Sequence, residues 1–318
     1  MKKTTQWGQS LLKSIQLQLF ISFISLPFLI GWGLPISLLS PISTLAFGPF
    51  LTCFLLISSL IFFLELFYLP NDTLIWCLEI VTSAWMACLS LEQRAWLIAF
   101  AKPPVIILIC LPLIALAAVH YKHITSVKIR ITLLSLLLVS SCATLKLFPY
   151  KYATIETITC NNGSITLIKH NNTLVMIDPA FMAARPSYES FISYTLLPEL
   201  VQKTGRLQID HLIVFKFNKR ILDALQFLAS KVTIKNIYMP FWHGRISSFA
   251  WRSYAHLKKT MIANNGKLIP ISYIKKLPLD ATSLLFIEPA HTKEVSYYEA
   301  TYKPLTVKGV VNQLPITF

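Results

Sequence analysis

Between Ile209 and Leu225 the chain reads IDHLIVFKFNKRILDAL. A β-branched and aromatic run is followed at once by three cations, Lys216, Lys219 and Arg220. Such a cluster can contact phosphate oxygens without reading bases. The stretch does not hold H-x-H-x-D-H, a pattern with which a strand end can deliver imidazoles and a carboxylate to a divalent metal. On that spacing, laid without a gap, the ligand positions hold Lys216, Asn218, Arg220 and Ile221. None of these ligates zinc in its ordinary state, and two cations there would repel it. No metal, no other cofactor and no hydrolysis are expected here. The cations are then either a phosphate-contacting patch or the solvated start of a helix left after loss of the motif.

The remaining candidates are thin. His243 in PFWHG and His291 in EPAHT both follow strand-like runs and could approach Asp178. Together they would make a residual metal-dependent hydrolase the third choice of function. His211 replaces an apolar strand residue and reads as an edge or interface histidine. His120 and His123 fall in a basic loop and read as interfacial. No nucleophile elbow, phosphate-binding P-loop or C-x-x-C pair occurs.

The elements that must position these residues fall into two parts. The chain has 318 residues, is 54% hydrophobic and has a mean hydropathy of +0.58. Runs of membrane-spanning length fill residues 1–150. From Lys151 onward the runs shorten and charge rises, with 20 Lys/Arg against 10 Asp/Glu. The whole chain carries +15. A basic second half suits an anionic partner, nucleic acid or lipid headgroups, although many proteins are basic for solubility alone. Five of six cysteines lie in the apolar half, where they act as small hydrophobes. Cys160 stands alone in the other half, which excludes an internal disulfide there.

Five spans are expected, at 15–34, 41–68, 74–91, 103–119 and 129–147. Lys2, Lys3 and Lys13 precede the first, but no A-x-A cleavage site follows, so it reads as a first span or signal anchor. Gly48-Pro49 falls early in the second, consistent with a half-helix leading into a full span. The third carries Glu79 and either crosses or lies along the surface. If buried there, Glu79 is a functional candidate; otherwise it is an interfacial carboxylate. With five crossings the Lys-rich N-terminus and the basic 120–130 loop share the cytoplasmic side, which puts the soluble half outside the cytoplasm. Arg94 and Lys102 count against this arrangement.

In residues 151–318 the runs Ile155–Cys160, Ile165–Lys169, Thr173–Ile177, Ile209–Phe217, Thr233–Met239, Lys267–Ile274 and Thr282–Ile287 read as strands. Tyr188–Lys203, Ile221–Ser230 and Phe249–Ala263 read as helices. Their alternation predicts an α/β sheet.

This order of elements resembles the ComEC family of competence DNA-uptake proteins. GWGLPISLLSPISTLAFGPFLTCFLLISSLIFFLELF is similar to later helices of that family's membrane domain. TITCNNGSITLI sits where the family has D-x-G-x-G-D and keeps only Gly163; LVMIDPA sits at I-D-G-G and keeps Asp178; TLLPELVQKTGRLQIDHLIVF keeps nearly all of the third motif, Asp210 included. The resemblance implies an α-helical multi-pass membrane domain (1–150) and an α/β domain of metallo-β-lactamase type (151–318), αββα-like, degenerate and incomplete. It covers part of the family's plan, which implies a shortened relative, a split-gene product or a decaying one.

It further implies a role in DNA uptake across the cytoplasmic membrane, with a non-catalytic domain that holds single-stranded DNA through Lys216, Lys219 and Arg220. Lipid, other competence proteins and a second copy are the other implied partners. The rival reading is a membrane-anchored assembly protein whose α/β half binds another protein.

Overall fold

A computed structural model describes residues 2–37, 40–90, 97–120, 127–147, 154–160, 163–170, 173–178, 182–183, 187–244, 247–280, 283–289, 295–297, 300–302, 305–311 and 314–317. His123, His291 and Arg94 lie outside them, as does the side chain of His120. The chain divides into two units, Met1–Ala99 with Pro103–Leu145, and Phe100–Lys102 with Lys146–Phe318.

The first unit holds α1 (Lys2–Gly31), β1 (Ile36–Ser37), α2 (Ser40–Leu66), α3 (Asp72–Ser90), β2 (Leu97–Ile98), α4 (Val105–His120) and α5 (Val127–Leu147). Five helices thus stand where five spans are expected. Three of them are long and apolar enough to cross a membrane, over Leu12–Gly31, Phe47–Leu66 and Val127–Lys146, and they mark the protein as membrane-associated. Val105–Ala117 is apolar but shorter. α3 carries Asp72, Thr73, Glu79, Thr82 and Ser83 among its apolar residues. Glu79 lies on the outward side of α3.

Leu19 and Phe23 of α1 pack with Ala115 of α4 and Leu134 of α5. Phe47 of α2 meets Trp85 of α3 at 3.7 Å between ring centroids. α2 runs unbroken through Pro49, where a half-helix is expected. The Thr52 hydroxyl donates to the Gly48 carbonyl one turn back (2.8 Å).

The second unit contains a six-stranded sheet. Its strands are β3 (Thr154–Cys160), β4 (Gly163–His170), β5 (Thr173–Asp178), β6 (Gln208–Val214), β7 (Thr233–Pro240) and β9 (Lys267–Ile271), in the order β3-β4-β5-β6-β7-β9. The first three pair antiparallel; β5, β6, β7 and β9 run parallel. Parallel neighbours need crossovers. These are supplied by α6 (Tyr188–Phe191), a π turn (Ile192–Leu196) and α7 (Leu197–Thr204); by α8 (Lys219–Lys231); and, after the short β8 (Trp242–His243), by α9 (Ser248–Ala263).

One sheet face buries Leu167, Met176, Leu212, Val214, Ile237 and Met239 under these helices. The other buries Ile168, Val175, Ile177, Ile213 and Tyr238. It is covered by an antiparallel sheet of β10 (Lys275–Asp280), β11 (Ser283–Pro289), β14 (Leu305–Val311) and β15 (Leu314–Thr317). Leu277, Leu285, Ile287, Leu305 and Val307 complete that second core. A third sheet joins β12 (Val295–Tyr297), β13 (Ala300–Tyr302) and β8.

The unit is therefore layered helix, sheet, sheet. Among the described residues no helix follows α9, so the outer helical layer of an αββα sandwich is not seen there. The run expected as one strand over Lys267–Ile274 ends at Ile271, and a turn leads into β10.

The helix expected over Tyr188–Lys203 is interrupted for a local reason. Pro198 has no N–H and its ring crowds the carbonyl four residues back. The turn before it widens, and the Leu197 N–H donates to Ile192 O, five residues back. α7 ends at Gly205, whose φ is +68°. A Cβ there would lie 2.6 Å from the backbone nitrogen of Ala101.

The carbonyl end of α7 also draws cations, as its dipole favours. Lys146 Nζ donates to Gly205 O (3.3 Å) and Lys169 Nζ to Thr204 O (3.5 Å). Burial, then Arg206 and Lys146 nearby, hold the Lys169 ammonium below its usual pKa, against the opposing pull of Glu156. Gly205→Ala should cost about 1–3 kcal/mol, from left-handed backbone strain and the forced shift of Ala101. A thermal melt of the full chain in detergent would show a lowered midpoint; an unchanged midpoint would refute the close approach.

Candidate functional site at the carboxyl edge of the sheet

In an open parallel sheet, ligands bind beyond the carboxyl ends of the strands. At that edge β5 ends in Asp178, which is in register with Val214 of β6. Two residues beyond Val214 stands Lys216. The β3–β4 pair closes at the same end, with Cys160 opposite Gly163 and Thr166 opposite Ile177. β7 ends there in Pro240 and leads through Phe241 to Trp242 and His243.

Of the residues singled out in the sequence, Gly163, Asp178, Lys216, Lys219 and Arg220 thus belong to one edge. Asp210 does not. It begins four residues before Val214, which at about 3.3 Å per residue puts it about 13 Å away.

Asp210 has a structural task at the opposite end of β6. It is buried, its Oδ2 accepts the Leu174 N–H (2.9 Å), and its Oδ1 accepts from Gln208 Nε2 (3.1 Å). Lys235 Nζ lies 2.7 Å from Oδ1, and Arg206 Nη1 4.0 Å from Oδ2. Burial pushes the carboxyl up, but Lys235, the Leu174 amide and Gln208 together outweigh it, and the net shift is downward.

The four residues laid on the metal-binding pattern are each accounted for. Lys216 and Arg220 are exposed. Ile221 is buried in the helix-side core. Asn218 caps α8: its backbone is extended, and its Oδ1 accepts the Ile221 N–H at 2.8 Å. Lys219 is exposed at the first position of α8. Two cations in a first helical turn oppose the macrodipole, while an anion placed there would be favoured by it. Among the described residues no group of three or more His, Cys, Asp and Glu is gathered as a metal site.

An aromatic cluster, which the sequence reading missed, fills the ground beside these cations. Phe217, 1% exposed, stacks on Trp242 with centroids 4.6 Å apart. Tyr254 meets Trp242 edge-on at 5.1 Å. Phe241 and Phe249 remain exposed at 38% and 65%. Lys219 Nζ stands 5.6 Å over the Phe249 ring. The available signal was the spacing of Phe217, Phe241, Trp242 and Phe249 around two strand ends.

No family model and no curated protein matches the chain.

The remaining histidines are placed differently from expectation. His243 is exposed in β8, paired with Thr301, its ring against Phe241 at 4.8 Å. Asp178 is fully buried. His211 is no edge residue, because β6 runs between β5 and β7. Its Nδ1 lies 3.2 Å from Tyr238 Oη. Burial chiefly, with Lys235 against Asp210, lowers its pKa, which keeps the ring neutral.

Proposed function

We propose that the protein is a membrane-anchored, non-catalytic holder of single-stranded nucleic acid, in the manner that its resemblance to the ComEC family implies. The observation that carries this reading is the meeting of exposed Lys216, Lys219 and Arg220 with the exposed rings of Phe241 and Phe249 around the ends of β6 and β7. Cations exchange counterions for phosphates, and flat rings accept bases by stacking without regard to sequence. The lactamase-like assignment of the α/β domain is supported by the carboxyl-edge position shared by Gly163, Asp178 and the cationic turn.

We infer that this domain works outside the cytoplasm, because the Lys-rich N-terminus and the basic stretch 120–130 favour the cytoplasmic side by the positive-inside rule.

The test is a salt titration of oligothymidylate binding by the full chain in detergent. Wild-type affinity should fall steeply with salt. Changing Lys216, Lys219 and Arg220 to Gln should flatten the log–log slope by about 2, at roughly 0.7 per lost single-strand phosphate contact. Absence of binding at 50 mM salt, about the lower end of the usual range, would sink the reading. It would leave a protein-binding anchor as the better account.

A further inference from the structure

The outward side of α9 is built differently from the edge site beside it. Trp251, Ala255 and Ile262 recur at helical spacing on the outward face, with Trp251 55% and Ile262 63% exposed. Lys258 flanks this stripe on one side and Lys259 and Arg252 on the other, all exposed. The helix, SFAWRSYAHLKKTMIA, contains no acidic residue. Its opposite face, Ala250, Ser253, Leu257 and Met261, is buried, which fixes the outward stripe in orientation. Tyr254 and the aliphatic stems of the lysines line a shallow apolar concavity along the stripe.

We propose that this face docks on a bilayer surface carrying anionic headgroups. An apolar stripe led by Trp and bordered by Lys and Arg is the arrangement that settles at the boundary of headgroups and acyl chains. The aromatic takes the interfacial position and the cations meet the anionic lipid. The chain already carries helices able to cross a membrane, so such a surface is at hand. A nucleic-acid strand is the less suited occupant, because the centre of the stripe is aliphatic at Ala255 and Ile262, and of its two rings Tyr254 is half-buried against Trp251 and Trp242.

The experiment compares the full chain with Trp251→Phe in lipid nanodiscs, so that the difference in fluorescence isolates Trp251. The discs hold phosphatidylcholine with or without phosphatidylglycerol, with acyl chains brominated near the headgroup in matched samples. The Trp251 component should be blue-shifted, shielded from aqueous acrylamide and largely lost to brominated lipid in the anionic discs. Lys258→Glu with Lys259→Glu should return it to water, with an unchanged melting midpoint showing that the domain is still folded. A Trp251 component open to acrylamide in both lipids would overturn the proposal. Equal bromine quenching without phosphatidylglycerol would overturn its anionic part. Shielding that appears only on adding oligothymidylate would reassign the face to nucleic acid, and shielding that depends only on protein concentration would reassign it to a second copy.

Discussion

Phe217→Ala should be the most damaging single truncation at the candidate site, lowering stability by about 3–5 kcal/mol, the usual range for a buried Phe reduced to Ala. Phe217 is 1% exposed and stacks on Trp242 at 4.6 Å, between Lys216 and the Asn218 cap. Its removal opens a void under the turn that carries the cations. Trp242, stacked on one side and held edge-on by Tyr254 on the other, cannot follow without breaking its pairing to Tyr302. At about 2–4 °C per kcal/mol for a domain of this size, the melting midpoint should fall by about 6–20 °C. Phe217→Leu keeps most of the volume and should cost less than half as much. If the two variants melt alike, the ring is not packed as described. Oligothymidylate binding well below the midpoint should weaken in Phe217→Ala and survive in Phe217→Leu, because the ring places the cations rather than contacting the strand.

The core of this arrangement was legible in the sequence because its elements have clean periods. Most of β5 and the Leu212–Val214 end of β6 are apolar runs, as parallel strands covered on both faces are. The helices over 219–231 and 248–263 put apolar residues at helical spacing. Three things escaped. Most of the second sheet did: β11 falls on the run expected over Thr282–Ile287, but β10, β14 and β15 carry Pro, Lys and Gly among their apolar residues, so no period of two stands out. The π turn did, because its cause, Pro198, falls inside the run expected as one helix over Tyr188–Lys203. The division of the singled-out residues did as well: Gly163 and Asp178 share one edge, and Asp210 serves the other. Strand direction decides this, and a motif read along the chain does not show at which end of a sheet each residue emerges. Three of the expected apolar runs lie in helices long and apolar enough to cross a membrane, α1, α2 and α5.

Asp210→Ala should lower stability by about 2–3 kcal/mol, and its effect should depend on pH. The carboxylate is 8% exposed and satisfies the buried Leu174 N–H at the start of β5. Truncation leaves that donor unpaired and removes the counter-charge of Arg206 and Lys235. Lys235 is 56% exposed, so water screens much of its share, and the estimate stays below the 3–5 kcal/mol typical of a broken buried pair. The sign of the pH effect follows from the depressed pKa of Asp210. In the unfolded chain the group titrates near 3.9; in the folded chain it holds its charge to lower pH. Its contribution is therefore complete above the unfolded value and is lost as pH falls through the folded one. Wild type should show an acid decline in melting midpoint that Asp210→Asn, which cannot ionise, largely lacks. The two curves should be furthest apart near neutral pH and converge in acid. Parallel curves would mean that Asp210 contributes through packing alone, and that its place in the I-D motif reflects neither catalysis nor charge.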